Sequence, residues 1–139
     1  MGIQSKRERE KFSQLRQSLK RLPDEIRRLI NPCFSDESVI KGSVYELKRK
    51  CGKPGCKCVR GELHSRMVVS TSEHGKTRLR VIPHGFLVEV QDKVRRYQEL
   101  RRVRVRLIEV HKKMLQLMDE MEAMRREEMP VSRKKPRSQ

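Results

Sequence analysis

Residues 51–64, CGKPGCKCVRGELH, hold three of the chain's four cysteines, followed by a histidine, in the spacing Cys51-x4-Cys56-x-Cys58-x5-His64. Zinc takes four tetrahedral ligands, usually thiolates and imidazoles, and a site closed by four protein ligands is structural. Gly52, Pro54 and Gly55 between the first two cysteines supply the turn that brings two sulfurs onto one ion, and Lys53 and Lys57 offset its charge. Three thiolates, a neutral imidazole and Zn²⁺ sum to −1. The expectation is one structural zinc held by Cys51, Cys56, Cys58 and His64, with Cys33 or His74 as alternative fourth ligands. A disulfide among three clustered cysteines would leave an odd thiol, and such crowding fits a reducing compartment. A nucleophilic cysteine needs a base and an oxyanion site, and no matching constellation is present. A catalytic zinc keeps a position open for water, usually near a Glu. Glu62 is close in sequence, but four candidate ligands close the site, so no enzyme activity is expected.

Strand patterns flank the cluster. SVYELKRK (43–50) alternates Tyr45 and Leu47 with Val44 and Glu46. RMVVSTS (66–72) and KTRLRVIP (76–83) surround EHGK (73–76), a hairpin signal with Gly75 in the turn. Leu79 and Val81 alternate with Arg78 and Arg80, giving an apolar and a basic face. A three-stranded sheet of this size is too small to stand on apolar burial alone, so a metal staple between its strands has a structural purpose.

Outside the sheet the period is helical. Phe12, Leu15, Leu19, Leu22, Ile26 and Leu29 fall on one stripe of residues 5–30. Pro23 followed by Asp24 and Glu25 suits a helix's first turn, so a break is expected there rather than a kink. NPCFSDES (31–38) reads as a linker. A long helix is expected from about Phe86 to about Glu128, roughly 65 Å at 1.5 Å per residue. From Val103 a heptad seam runs through Leu107, Val110, Met114, Leu117, Met121 and Met124, after a phase break between Tyr97 and Val103. The N-terminal segment is too short to cover this helix, so part of the seam is expected to pair with a second copy or another protein. The expected fold is α+β, mostly α. Residues 1–38 form an N-terminal helical segment and linker, 39–84 a zinc-binding β domain, 85–128 the long helix and 129–139 a disordered basic tail.

The chain of 139 residues carries 35 Lys and Arg against 18 Asp and Glu, a formal charge of +17, and only 4% aromatic residues. That balance allows no large core and points to a polyanionic partner. No run approaches the length of a membrane span, and no apolar segment follows the basic start as in a secretory signal, so a cytoplasmic protein is expected. Between residues 93 and 106 seven basic residues meet one acid, Glu99, whereas acids prevail beyond Asp119.

The stretch GSVYELKRKCGKPGCKCVRGELHSR (42–66) resembles a group of small bacterial proteins of unassigned function, often found among mobile elements and phages. Their core looks like Gly-Ser-(apolar), C-G-K-P-G-C-x-C, Gly-x-x-His, a short hairpin and a helix, matched here by Gly42, Ser43, Cys51 to Cys58, Gly61 and His64. The resemblance covers roughly residues 40–100. It implies His64 as a ligand and a mobile-element setting. Where those proteins carry Gly-Pro and an aromatic-rich strand after the histidine, this chain has SRMVVS (65–70).

Three sets of cations are candidate phosphate contacts: Lys48, Arg49, Lys50, Lys53, Lys57 and Arg60 around the cluster; Arg66, Lys76, Arg78 and Arg80 on the hairpin; and Arg95, Arg96, Arg101, Arg102, Arg104 and Arg106 on the long helix. They are expected to converge if the sheet packs on the start of that helix. Few aromatics are free to stack on bases, which favours duplex contacts over single strands, and the mobile-element resemblance favours DNA. The expected function is a non-catalytic, zinc-binding, DNA-binding accessory protein of a transposition or recombination system. The alternatives are an RNA-binding protein of a ribonucleoprotein and a coiled-coil interaction adaptor.

Overall fold

The computed structural model describes residues 2–133 and 138. In chain order it has α1 (Lys6–Leu29), a 3-10 turn (Asn31–Phe34), β1 (Ser43–Arg49), a second 3-10 turn (Lys57–Arg60), β2 (His64–Glu73), β3 (Lys76–Val81) and α2 (Leu87–Arg125). The fold is α+β and mostly helical. Residues 129–133 carry no regular structure, and Lys134, Lys135, Pro136 and Arg137, in the tail expected to be disordered, lie outside the described residues. No helix among the described residues is long and apolar enough to cross a membrane. The chain divides into two compact units, one of α1 with the part of α2 from Arg106 onward, the other spanning Ile30–Val105.

In the helical unit, α1 begins with a capping box. Ser5 Oγ accepts the Glu8 N–H at 3.1 Å, and Glu8 Oε2 accepts the N–H groups of Ser5 and Gln4 at 2.9 and 2.8 Å. The Ser5 and Gln4 amides hold the Glu8 carboxyl below its ordinary value. The break expected at Pro23 does not occur: α1 runs unbroken across it. Pro23 removes only the bond its own nitrogen would give, and the apolar stripe keeps phase on both sides, with Leu19, Leu22 and Ile26 all half-buried. Packing of one continuous stripe outweighs one missing bond.

That stripe lies antiparallel along α2. Glu25 pairs with Arg106 at 2.6 Å, Leu19 shares a groove with Met118 and Met121, and Phe12 shares one with Arg125. Val110 and Leu117 are buried, and Leu107, Met114, Met121 and Met124 are half-buried. The seam expected to meet a second copy or another protein therefore lies, from Leu107 onward, beside α1 of the same chain.

In the sheet unit the strands run β1-β2-β3, all antiparallel, with Tyr45 opposite Val68 and Val68 opposite Val81. The β2–β3 loop is the two-residue turn His74–Gly75, both with positive φ (51° and 76°), which matches the twist of a hairpin. Val69, Ile82 and Val94 form the core, with Ile40, Val44, Met67, Leu87 and Val90 against it. One face of the sheet thus packs on the first turns of α2. The segment before β1 is bound to the same helix: Arg96 reaches Glu37 at 3.1 Å and the Ser38 carbonyl at 2.7 Å, and the Ile40 N–H donates to the Lys93 carbonyl at 3.2 Å. Gly42 follows at φ 142°, where a Cβ would stand 2.7 Å from the Ser70 carbonyl and 2.8 Å from Val69 Cγ1. The division of α2 between the two units falls after Val105, a short way beyond the phase break between Tyr97 and Val103.

Candidate metal centre

The loop that carries the cysteines is closed by the β1–β2 ladder. Arg49 ends β1 and is paired with His64, the first residue of β2, so Cys51 and His64 start close together. Between them the chain makes two tight turns. Gly52 takes φ 76°, and the Cys56 N–H donates to the Lys53 carbonyl at 3.2 Å. The 3-10 turn Lys57–Arg60 follows, ending at Gly61 in the left-handed region at φ 107°. Glycine is required at such a stop because a side chain is strained there.

These turns gather Cys51, Cys56, Cys58 and His64 so that all four donor atoms lie within 4.8 Å of one another. Cys51 Sγ is 3.5 Å from Cys58 Sγ, Cys56 Sγ is 3.1 Å from His64 Nε2, and the Cys51 N–H points at Cys58 Sγ at 3.3 Å. Around a tetrahedral ion with metal–sulfur bonds of ~2.3 Å and a metal–nitrogen bond of ~2.0 Å, neighbouring donors stand ~3.5 Å apart. The four side chains are therefore placed to hold one metal ion with small adjustments. Cys58 is wholly buried, Cys56 is half-buried, and Cys51 and His64 are exposed. Cys33 is an exposed free thiol in the first 3-10 turn and His74 sits in the hairpin turn; neither joins the cluster.

Thiol ionisation is uneven. The Cys58 N–H, followed by the Cys51 and His64 side chains, lowers Cys56 to about 6. The Lys53 N–H draws Cys51 down, but hydrogen bonding with Cys58 and Cys56 outweighs it, and Cys51 ends above its ordinary value of 9.0. Cys56 is thus a ready thiolate, while Cys51 must release a proton on binding a metal.

The candidate cations of the sheet unit fall on two faces rather than one. Odd-numbered β1 residues and even-numbered β2 residues point away from α2, so Arg49, His64 and Arg66 share the outward face with Tyr45, Leu47 and Val68. Lys48 lies on the opposite face. On β3, Arg78 and Arg80 lie on the α2 side, and Leu79 and Val81 face outward, 38% and 54% exposed. Some cations are engaged: Arg95 with Asp92, Arg96 with Glu37, Arg78 with Glu73, and Arg106 with Glu25 and Glu109. Glu109 and then Glu25 hold the Arg106 guanidinium above its ordinary value. Lys48, Arg49, Lys50, Lys53, Lys57, Arg60, Arg66, Lys76, Arg80, Arg101, Arg102 and Arg104 make no ion pair among the described residues. Sequence reasoning treated all these cations alike; the acids at i−3 of Arg95 and i+3 of Arg106 were the signal that two would be occupied.

The family described as "Domain of unknown function (DUF6788)" matches residues 12–96, which include all four cluster residues and the whole sheet. No curated protein and no solved structure matches the chain.

Proposed function

The chain belongs to the DUF6788 family, and from that premise we propose that it is a non-catalytic, zinc-stapled nucleic-acid-binding protein acting as an accessory factor on DNA. The zinc assignment rests on the donor set: three thiolates and one imidazole suit a tetrahedral Zn²⁺, and four protein ligands leave no position for a reacting water. The cluster ties the end of β1 to the start of β2, which is where a small sheet needs a staple.

The single observation that carries nucleic-acid binding is the set of cations around the metal loop, Arg49, Lys50, Lys53, Lys57, Arg60 and Arg66, none of them paired with an acid among the described residues. Exposed cations lacking internal partners, carried on a metal-braced loop and a strand, are suited to phosphate oxygens. Arg101, Arg102 and Arg104 on α2 add a second basic surface. DNA is preferred to RNA in keeping with the resemblance to mobile-element proteins, and the proposed setting is recombination chemistry in a bacterial cytosol or nucleoid. A protein partner or second copy would meet α2 through its uncovered face, where Ile108 and Leu115 are each about half exposed.

The test is duplex binding measured over a salt series. Log affinity should fall linearly with log salt, and Lys53→Gln and Arg66→Gln should each reduce the slope by about 0.9. Binding insensitive to salt and to both substitutions would overturn the reading. Preference for structured RNA over duplex DNA at matched salt would replace DNA with RNA. Loss of a partner in Leu115→Asp, with both cation variants silent, would replace it with an adaptor.

A further inference from the structure

The outward face of the sheet has a step. β2 is ten residues long and β3 only six, so the rows Leu47–Arg66 and Arg49–His64 have no third strand beside them. The metal loop rises next to this step, and together they enclose a concavity of about 540 Å³. Leu47 and Val81 give it apolar surface, Arg49, Lys50, Lys53 and Arg66 supply charge, the cluster residues Cys51, Cys56 and His64 complete the lining, and no carboxylate is among them. Val81 is 54% exposed, and Tyr45, in the same cross-strand row, is 40% exposed.

We infer that this cleft seats one unpaired nucleotide of a nucleic-acid strand, its base on the apolar surface of Leu47 and Val81 and its flanking phosphates on Arg49, Lys53 and Arg66. The inference rests on the nucleic-acid reading and deepens it by naming the substrate. A paired duplex offers a protein phosphates and base edges, with its base faces stacked inside, so it has nothing to place on an exposed apolar surface. An unpaired nucleotide offers both a planar face and two phosphates within a few ångströms. The volume lies within the range of about 300–1,000 Å³ usual for small-ligand sites, so one nucleotide fits and a duplex does not. Charge selects the same occupant: four cations with no carboxylate among the lining residues disfavour a basic or neutral peptide. The cleft also borders the metal centre, where a divalent ion would cut the charge of three thiolates to −1, against the four cations of the lining.

The experiment uses the full metal-loaded chain and two fluorescent DNA probes at one salt concentration, a blunt duplex and the same duplex with a short single-stranded extension. The parent should bind the extended probe about tenfold more tightly, a gain within reach of covering one base face with apolar side chains. Val81→Ser should lose that advantage and keep the parent's blunt-duplex affinity and metal content, while Arg66→Gln should weaken the extended probe more than the blunt one. Equal affinity of the parent for the two probes overturns the inference and leaves the duplex-binding reading intact. So does an advantage that survives in Val81→Ser and Arg66→Gln alike. Binding of neither probe overturns both.

Discussion

Cys56 Sγ and His64 Nε2 stand 3.1 Å apart although they lie eight positions apart in the chain. The Cys56 turn and the first residue of β2 are brought together by different means, the former by Gly52 and the Lys53 carbonyl, the latter by the ladder with Arg49. A metal at this point would tie a loop to the sheet edge from which the loop departs.

Loss of one ligand should therefore be felt in the sheet. Cys58→Ser removes the one fully buried cysteine of the cluster. It should lose bound metal and lower stability by about 4 kcal/mol, the stabilisation a ligand supplies at a thousand times its dissociation constant. Thermal unfolding with and without a chelator checks this. The parent in chelator should unfold at nearly the temperature of the variant, and the variant should no longer respond to chelator.

The thiols should differ in reactivity once the metal is removed. Cys56, lowered to about 6 first by the Cys58 amide and then by Cys51 and His64, is mostly thiolate at pH 7, whereas Cys51 lies above 9.0. Alkylation of metal-free protein should label Cys56 first, at a rate rising through about pH 6 and level above pH 7. Cys51 should follow only at alkaline pH. The linked effect on stability has the same sign. A thiol lowered on folding stabilises the native state in full above pH 9, and that contribution fades as pH falls from 9 through about 6. Peptide mapping by mass spectrometry reads the order of labelling, and metal should protect all three cluster cysteines.

Gly42→Ala should destabilise the sheet unit by about 2 kcal/mol, since it adds a Cβ at φ 142° only 2.7 Å from the Ser70 carbonyl. Gly55→Ala, with nothing within 4 Å of its added methyl, is the control and should fall within about 0.5 kcal/mol of the parent. Chemical denaturation of both variants decides the matter.

In the helical unit, Leu117→Ala should cost about 2–4 kcal/mol, because the side chain is only 3% exposed on the seam beside α1. Leu115→Ala, two residues away and 47% exposed, should change little. The pair also separates seam from surface: if the seam were free to accept a partner, truncating Leu117 would leave the isolated chain's stability unchanged.

What the sequence made legible was local. The stripe from Phe12 to Leu29, the hairpin about Gly75 and the four-ligand cluster each depend on residues a few positions apart, and each is found where period and turn chemistry put it. Pro23 misled because its local signal, a proline followed by two acids, is correct for a helix start, and only the packed stripe on both sides overrides it. The seam from Leu107 to Met124 announced that something covers it without saying what, since period fixes a face and not its neighbour. On β3 the alternation of Leu79 and Val81 with arginines gave an apolar and a basic face without saying which one meets the helix: Val69 and Ile82 turn toward α2, and Leu79 and Val81 face outward. The cleft follows from the outward placement of Val81 and from the length difference between β2 and β3, neither of which a single strand's pattern contains.

The measurement that bears most directly on this account is the metal content of the purified chain by native mass spectrometry. One zinc per chain is predicted, absent from Cys56→Ser and Cys58→Ser and retained by Cys33→Ser. A metal-free parent whose sheet is as stable as that of Cys58→Ser would contradict it, as would zinc retained when Cys56 and Cys58 are both replaced.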